Sequence, residues 1–379
     1  MTVDAGPAPR ERTGPRLAAR LPLWPTLTFL SVAVLAVHLL GPHATSWHFF
    51  HDAARLLVGD APGGEATGLH LYRDRPDLQF GPLAVLVALP LSVLGPTGGA
   101  WAAMVLGSVL GLVAFWFLLD AAIALRPELR APSAAPSLLA AGAVFVITWG
   151  DVAVRTAHID DAIALAATAA ALSATARGRG LGAAAALGLA AAAKPWAVAF
   201  VPLVLVPGAG RTWWRAAIAL GLPALTWAPF VLAEPATLDT ADFVVRNDPA
   251  SVLRVLGVHD PTTPSWARPV QLLGGVAVAT LVVLRGRWHA AVLAGVAWRL
   301  LLEPGAHRYY TVGLVLGALI VELVARPGRV PWLTVAAAIV LELTAMSTAP
   351  DGSGLLRAAC VVAALLAAWR ATPLVRSGR

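Results

Sequence analysis

The sequence predicts an all-α polytopic membrane protein, and three observations predict it. Of its 379 residues, 58% are hydrophobic and 13% charged, against about 25% charged in an ordinary soluble domain. Runs such as 101–125 and 181–206 are too long and too apolar for soluble core helices. Arginines recur in pairs between such runs, the pattern that orients helices in a bilayer.

Each element follows from apolar length. Residues 1–21 are polar, with Arg10, Arg12, Arg16 and Arg20 among Pro and Gly, and read as a disordered cytoplasmic tail. The run 23–42 is span-length and lacks a small-residue cleavage site, so it is expected to be a signal anchor and the first crossing. The run 81–94 is apolar but short and carries Pro82 and Pro90; that length suits a re-entrant or interfacial segment. Later spans fall at 99–125, 136–149, 161–176, 181–193, 196–207, 214–232, 269–285, 288–302, 309–325, 330–346 and 354–370. The total is about twelve crossings, two of them short halves of a hairpin turning at Lys194–Pro195. Residues 22–372 thus form one transmembrane domain, and 373–379 a second cytoplasmic tail.

Charge fixes the orientation. If 81–94 does not cross, Arg126/Arg130, Arg177/Arg179, Arg211/Arg215, Arg285/Arg287, Arg326/Arg329 and Arg370/Arg376/Arg379 all fall on the cytoplasmic side. A crossing at 81–94 would move every later pair outside, at a cost of several kcal/mol. The outer side then collects most of the acids, including Asp52, Asp60, Glu65, Asp77, Asp160, Asp161, Asp248 and Glu303, with His48, His51, His158 and His307. The +7 formal charge is explained by topology and implies no nucleic acid. One cysteine, Cys360, excludes a disulfide framework and a cysteine metal cluster. Internal inverted repeats of the transporter kind are not evident.

Five outer patches could carry chemistry. His48, Asp52 and Arg55 share a face of a short amphipathic helix, where a carboxylate held near cations can serve as a general base; the bland alternative is a water-facing interfacial helix. Residues 71–82, Leu-Tyr-Arg-Asp-Arg-Pro-Asp-Leu-Gln-Phe-Gly-Pro, form a turn before the short segment. Asp151, Arg155, His158, Asp160 and Asp161 lie between two spans. The two adjacent Asp suit a helix N-terminus, and a divalent metal there lacks further ligands. Of 28 basic residues only Lys194 is lysine, and an ammonium at membrane depth usually lines a polar cavity; snorkelling is the alternative. Finally, Arg299 and Glu303 are four apart on one helix, Pro304-Gly305 ends it, and His307, Arg308, Tyr309 and Tyr310 start the next span. Aromatic belts explain the tyrosines but not His307 and Arg308. The sequence holds no zinc-binding helix motif, phosphate-binding Gly loop or nucleophile elbow.

In order, these pieces are Asp52 in a helix closing at Gly59, Leu71-Tyr72, Phe80-Gly81-Pro82, His158-x-Asp160-Asp161, Ala193-Lys194-Pro195 and Pro304-x-x-His307-x-Tyr309-Tyr310. The series resembles the GT-C-fold membrane glycosyltransferases. It looks most like the bacterial polyprenol-phosphate-sugar-dependent mannosyl- and arabinosyltransferases, glycosyltransferase family 87, over roughly residues 23–325.

The resemblance implies a GT-C-like bundle in the plasma membrane with its active site outside. It implies an inverting transfer of a sugar, mannose or arabinose, from a polyprenyl-phosphate donor to a cell-envelope glycolipid or glycan. By position Asp52 would be the general base, and Lys194, His307, Arg308, Arg299, Arg55, His158, Asp160 and Tyr309 would hold donor phosphate or substrate. No cofactor is implied; His51-Asp52, in place of two adjacent acids, weakens a metal-dependent version. The rival readings are a secondary transporter using Lys194, Arg299 and Glu303, and an envelope-lipid flippase or ligase.

Overall fold

In the computed structural model, residues 23–59, 67–347 and 349–374 are described. The tail expected at 1–21, most of that expected at 373–379, and the outer acids Asp60 and Glu65 lie outside the described residues.

The described residues are helical, with one isolated antiparallel bridge between Arg246 and Thr262. The helices are α1 (Leu23–His38), α2 (Trp47–Val58), α3 (Leu71–Asp74), α4 (Pro82–Ser92), α5 (Gly95–Leu125), α6 (Ala135–Gly150), α7 (Ile159–Ala176) and α8 (Gly180–Ala193). The remainder are α9 (Thr212–Ala233), α10 (Val252–Val255), α11 (Ala267–Leu284), α12 (Ala291–Leu301), α13 (Thr311–Ala325), α14 (Trp332–Met346) and α15 (Pro350–Arg370). With their 3₁₀ and π extensions, 7 helices among the described residues are long and apolar enough to cross a membrane. The chain is thus a multi-pass membrane protein. The other apolar helices, among them α1, α8 and α14, are 10–17 residues long. At 1.5 Å per residue they fall short of a hydrocarbon core of about 30 Å, so length alone supports fewer spans than the twelve expected.

Small side chains let the helices approach closely. The Ala-rich α7 packs between α5 and α8, and α8 packs on α9. A side chain at Gly188 would strike Leu222 and the Ile218 carbonyl of α9; one at Gly317 would strike the Leu293 backbone of α12. The 11-residue 3₁₀ stretch Pro195–Leu205 joins α8 to α11 and α12. Its 3₁₀ form rises about 2 Å per residue, so it reaches farther than an α-helix of equal length. The crossing helix around α6, α7 and α13 are each 72% buried, whereas α9 is 11% buried. They form the centre, and α9 is the rim that meets lipid.

Two ends of the bundle differ in charge. At one, the last turns of α5, α7, α11, α13 and α15 are tied together by arginines: Arg126 Nε donates to Val324 O at 2.6 Å, Arg177 pairs with Asp120, and Arg285 lies 3.6 Å over the Trp369 ring. At the other end, α7, α11 and α13 begin and α8 and α12 end. There the loops enclose a cavity.

Candidate functional site

The cavity measures about 710 Å³. Its walls come from α2, the 77–80 turn, the head of α7, Lys194–Trp196, α9, the 237–248 loop, the head of α11, α12 and residues 302–310. All five patches singled out in the sequence therefore supply side chains to one wall system, although the α2 patch supplies Phe49 and Phe50 and not its polar face.

The 71–82 turn is built by two anchors. Buried Tyr72 donates to Phe80 O at 3.1 Å, and its ring lies against Trp227 and Phe230. Gly81 N donates to Ala193 O at 2.8 Å. A Cβ at Gly81 would overlap the Ala192 carbonyl, so only glycine permits this approach. The turn is thereby fixed against the residue preceding Lys194. It presents Asp77 and Gln79 to the cavity. Arg75 clasps Asp77 with two bonds of 3.0 and 2.9 Å, which holds the Asp77 carboxyl below its usual range against the opposing effect of partial burial.

Asp160, fully buried at the head of α7, accepts from Lys194 Nζ. Lys194 Nζ also lies 3.5 Å from Asp161 Oδ2. His158 Nδ1 stands 3.3 Å from Asp160 Oδ1, and its Nε2 3.1 Å from Ser46 Oγ. The backbone around this pair is strained: Ala157 and Ala44 have positive φ, 52° and 48°, each costing about 1–2 kcal/mol in a non-glycine residue. Residues 44–46 donate to carbonyls 154–156, the end of a π-helical turn (Asp151–Arg155) and the residue after it. Strain of this kind clusters at functional sites. His158, Asp160 and Asp161 bring ligand atoms within 4.8 Å of one another, a spacing a cation can use. The Lys194 ammonium already meets both carboxylates, so the chain itself supplies that positive charge.

Arg299, also in the wall, pairs with Glu303 at 3.3 Å and lies over the Trp196 and Tyr310 rings, 4.6 Å from each. Gln271 Nε2 donates to Glu303 Oε2 at 3.1 Å. The Tyr309 ring packs on His158, centroids 4.2 Å apart, and stacks with His307 at 5.2 Å. Gly305 leaves room for the His307 ring, which a Cβ there would strike. His307 is exposed and lines the cavity. Desolvation by the surrounding protein lowers its basicity; Glu303 and Asp248 oppose the shift, and His158 and Arg357 add to it. The direction of that shift favours the uncharged imidazole.

Of the residues expected at the site, Lys194, His307, Arg299, His158, Asp160 and Tyr309 line the cavity. Asp52, Arg55 and Arg308 do not. Asp52 lies on α2 where its charge adds to the field at Arg75. Arg308 turns the other way, to Asp151 at 3.3 Å and Glu342 at 2.5 Å. Lys194 is neither snorkelling nor unpaired: it is internally neutralised. Arg268 and Gln271, both in the wall, were not singled out by the sequence reasoning. A signal existed for Arg268, an arginine at a span end that the charge rule places outside.

No protein-family model matches the chain, and no curated protein or solved structure matches it.

Proposed function

We propose that the chain is an inverting glycosyltransferase that uses a polyprenyl-phosphate sugar. The observation that carries this reading is the make-up of this cavity. Cations and aromatic faces (Lys194, Arg268 and Arg299 with Trp196, Tyr309 and Tyr310) and His307 surround about 710 Å³ at one end of a membrane bundle. Aromatic faces suit a sugar ring, and preorganised cations suit a phosphate that gains charge as it leaves. A lipid-linked donor needs no nucleotide site.

On this reading the shorter apolar helices are further crossings and α4 is the re-entrant segment. The arginine-rich end lies in the cytoplasm, and the cavity opens to the outer face of the plasma membrane. The acceptor hydroxyl gives its proton to a base and attacks the anomeric carbon. The bond from that carbon to the phosphate oxygen breaks on the opposite face, and polyprenyl phosphate departs with the electron pair. His307 suits the base: it faces the cavity, and its shift favours the uncharged form. Of the wall carboxylates, Asp77, Asp160 and Glu303 are each already held by a cation, and Asp248 accepts from the Ala250 N–H at 2.8 Å and is a second candidate. Asp52, which the resemblance implies as base, is the competitor.

The test is transfer from a radiolabelled polyprenyl-phosphate sugar by the chain in washed membranes. His307→Gln is expected to lower the rate by about 10²- to 10⁴-fold, the usual worth of a general base, and Asp52→Asn by much less. The reverse order would return the role to Asp52, and no transfer by the wild type with any such donor would sink the reading. A second reading has one observation behind it. Lys194–Asp160 and Arg299–Glu303 are complete internal ion pairs, as an ion-coupled transporter requires between substrates; uptake by proteoliposomes without glycosyl product would favour it.

A further inference from the structure

The cations of the cavity are not equivalent. Lys194 sits on Asp160 and beside Asp161. Arg299 is paired with Glu303 and lies against two aromatic rings. Arg246 is exposed at the rim and bridged through its backbone to Thr262. Arg268, half-buried at the head of α11, has a different partner: its guanidinium donates to the neutral amide oxygen of Gln79 at 2.8 Å. Glu303 and Asp242 lie within its electrostatic reach, but Glu303 is already engaged by Arg299 and Gln271. The other half of the Gln79 amide is conspicuous for the opposite reason. Its Nε2 is buried and has no hydrogen-bond partner, a state that costs free energy unless a ligand relieves it. A guanidinium with donors to spare and an amide with none satisfied thus stand together in the cavity wall. The guanidinium has a neutral acceptor, and the amide Nε2 has none. The first turn of the 18-residue α11 adds the positive end of its dipole.

We infer that Arg268 and the Gln79 amide together bind the anionic group of the ligand, a phosphate ester, while Lys194 and Arg299 hold the cavity's own carboxylates. This rests on the phosphate-linked donor proposed above. It reassigns the anion site from the residues that stood out in sequence to a pair contributed by two distant segments. The arrangement has a chemical advantage. Binding at Lys194 would require the anion to displace Asp160, whereas binding at Arg268 and Gln79 displaces only a neutral amide contact and satisfies an unpaired donor. A planar guanidinium also offers two parallel donors to a phosphate.

The test places the full chain in lipid nanodiscs and titrates it with three probes: a long-chain polyprenyl monophosphate, the uncharged polyprenol of the same length, and inorganic phosphate. Binding is read by tryptophan fluorescence, since Trp196 and Trp227 line the cavity. The wild type is expected to prefer the monophosphate to the alcohol. Arg268→Gln should weaken monophosphate binding on the order of 10- to 100-fold and leave the alcohol unaffected. Arg268→Lys should restore part of the loss. Gln79→Glu should abolish anion binding with the arginine still present, because it places a carboxylate on the guanidinium. Circular dichroism and retained polyprenol binding show that the variants are folded.

Wild-type affinity for the monophosphate in both Arg268→Gln and Gln79→Glu would overturn the assignment, as would equal wild-type affinity for monophosphate and alcohol. Arg268-dependent binding of inorganic phosphate, with none of the polyprenyl monophosphate, would uphold the anion site and remove the polyprenyl donor. Sugar transfer by Arg268→Gln with an unchanged KM for the donor would do the opposite: the transferase would stand and the anion site would fall.

Discussion

The two ends of the bundle use the same residue types for different purposes. At the basic end, arginines tie to groups that carry no charge: Arg126 to a carbonyl, Arg215 to the Val206 carbonyl, Arg285 to an indole face. Asp120 is the exception, paired with Arg177 and Ser173. At the cavity end, most cations meet carboxylates: Lys194 with Asp160 and Asp161, Arg299 with Glu303, Arg308 with Asp151 and Glu342; Arg268, on the Gln79 amide, is the exception. Excess positive charge at a membrane surface orients helices and asks little of geometry. Paired charge inside a protein is costly to assemble and strongly destabilising to break. The difference teaches that charge sign alone locates the ends, while partner identity shows which end is a site.

The sharpest way to break this comparison is through His307, an imidazole in the cavity wall. If His307 is the base, the rate must fall as pH drops and the imidazole gains a proton. Burial lowers its basicity, so the fall lies below the ordinary imidazole range near 6.5, and transfer is flat from there through neutrality. The pH dependence of kcat/KM measures this. A fall centred well above 6.5 would exclude His307.

Lys194→Met comes next. It leaves Asp160, which is fully buried, without its ammonium, and removing one partner of a buried pair costs about 3–5 kcal/mol. Thermal unfolding in detergent should show that loss. Lys194→Met combined with Asp160→Leu is expected to recover most of it; no recovery would mean that the pair serves the ligand rather than the fold. Gly81→Ala follows at about 1–3 kcal/mol, the usual cost of overpacking, because its Cβ would overlap the Ala192 carbonyl. Its effect on transfer should exceed its effect on stability, since the turn it displaces carries Gln79.

The helical class, the polarity of charge and most of the cavity were legible in the sequence, for an identifiable reason. Apolar length and arginine pairs act one residue at a time, so a linear reading captures them. The Arg299–Glu303 pair was legible too, because four residues is one helical turn. Pairings across the chain were not. Nothing local tells that Lys194 meets Asp160, 34 residues away, or that Arg268 meets Gln79, 189 residues away. The reach of the 195–205 segment was hidden as well, because an apolar run does not announce 3₁₀ geometry. Asp52 was conspicuous as the acid of an amphipathic helix, yet that helix turns Phe49 and Phe50 to the cavity. A surface helix must bury its apolar side, and here the cavity takes part of it.

The basic end supplies the smallest effect and the control on all the others. Arg177 and Asp120 are partly exposed, at 36% and 22% of their side chains, and water screens them. An exposed ion pair contributes about 0–1 kcal/mol. Arg177→Gln should therefore shift stability by no more than that, with Ser173 still donating to Asp120 at 2.6 Å. Sugar transfer and monophosphate binding should be unchanged, because Arg177 lies at the end of α7 opposite Asp160. Since Arg179 and the other arginine pairs remain, orientation should hold as well. A large loss of transfer in Arg177→Gln would mean that the ends communicate through α7, and the division between an orienting end and a binding end would have to be abandoned.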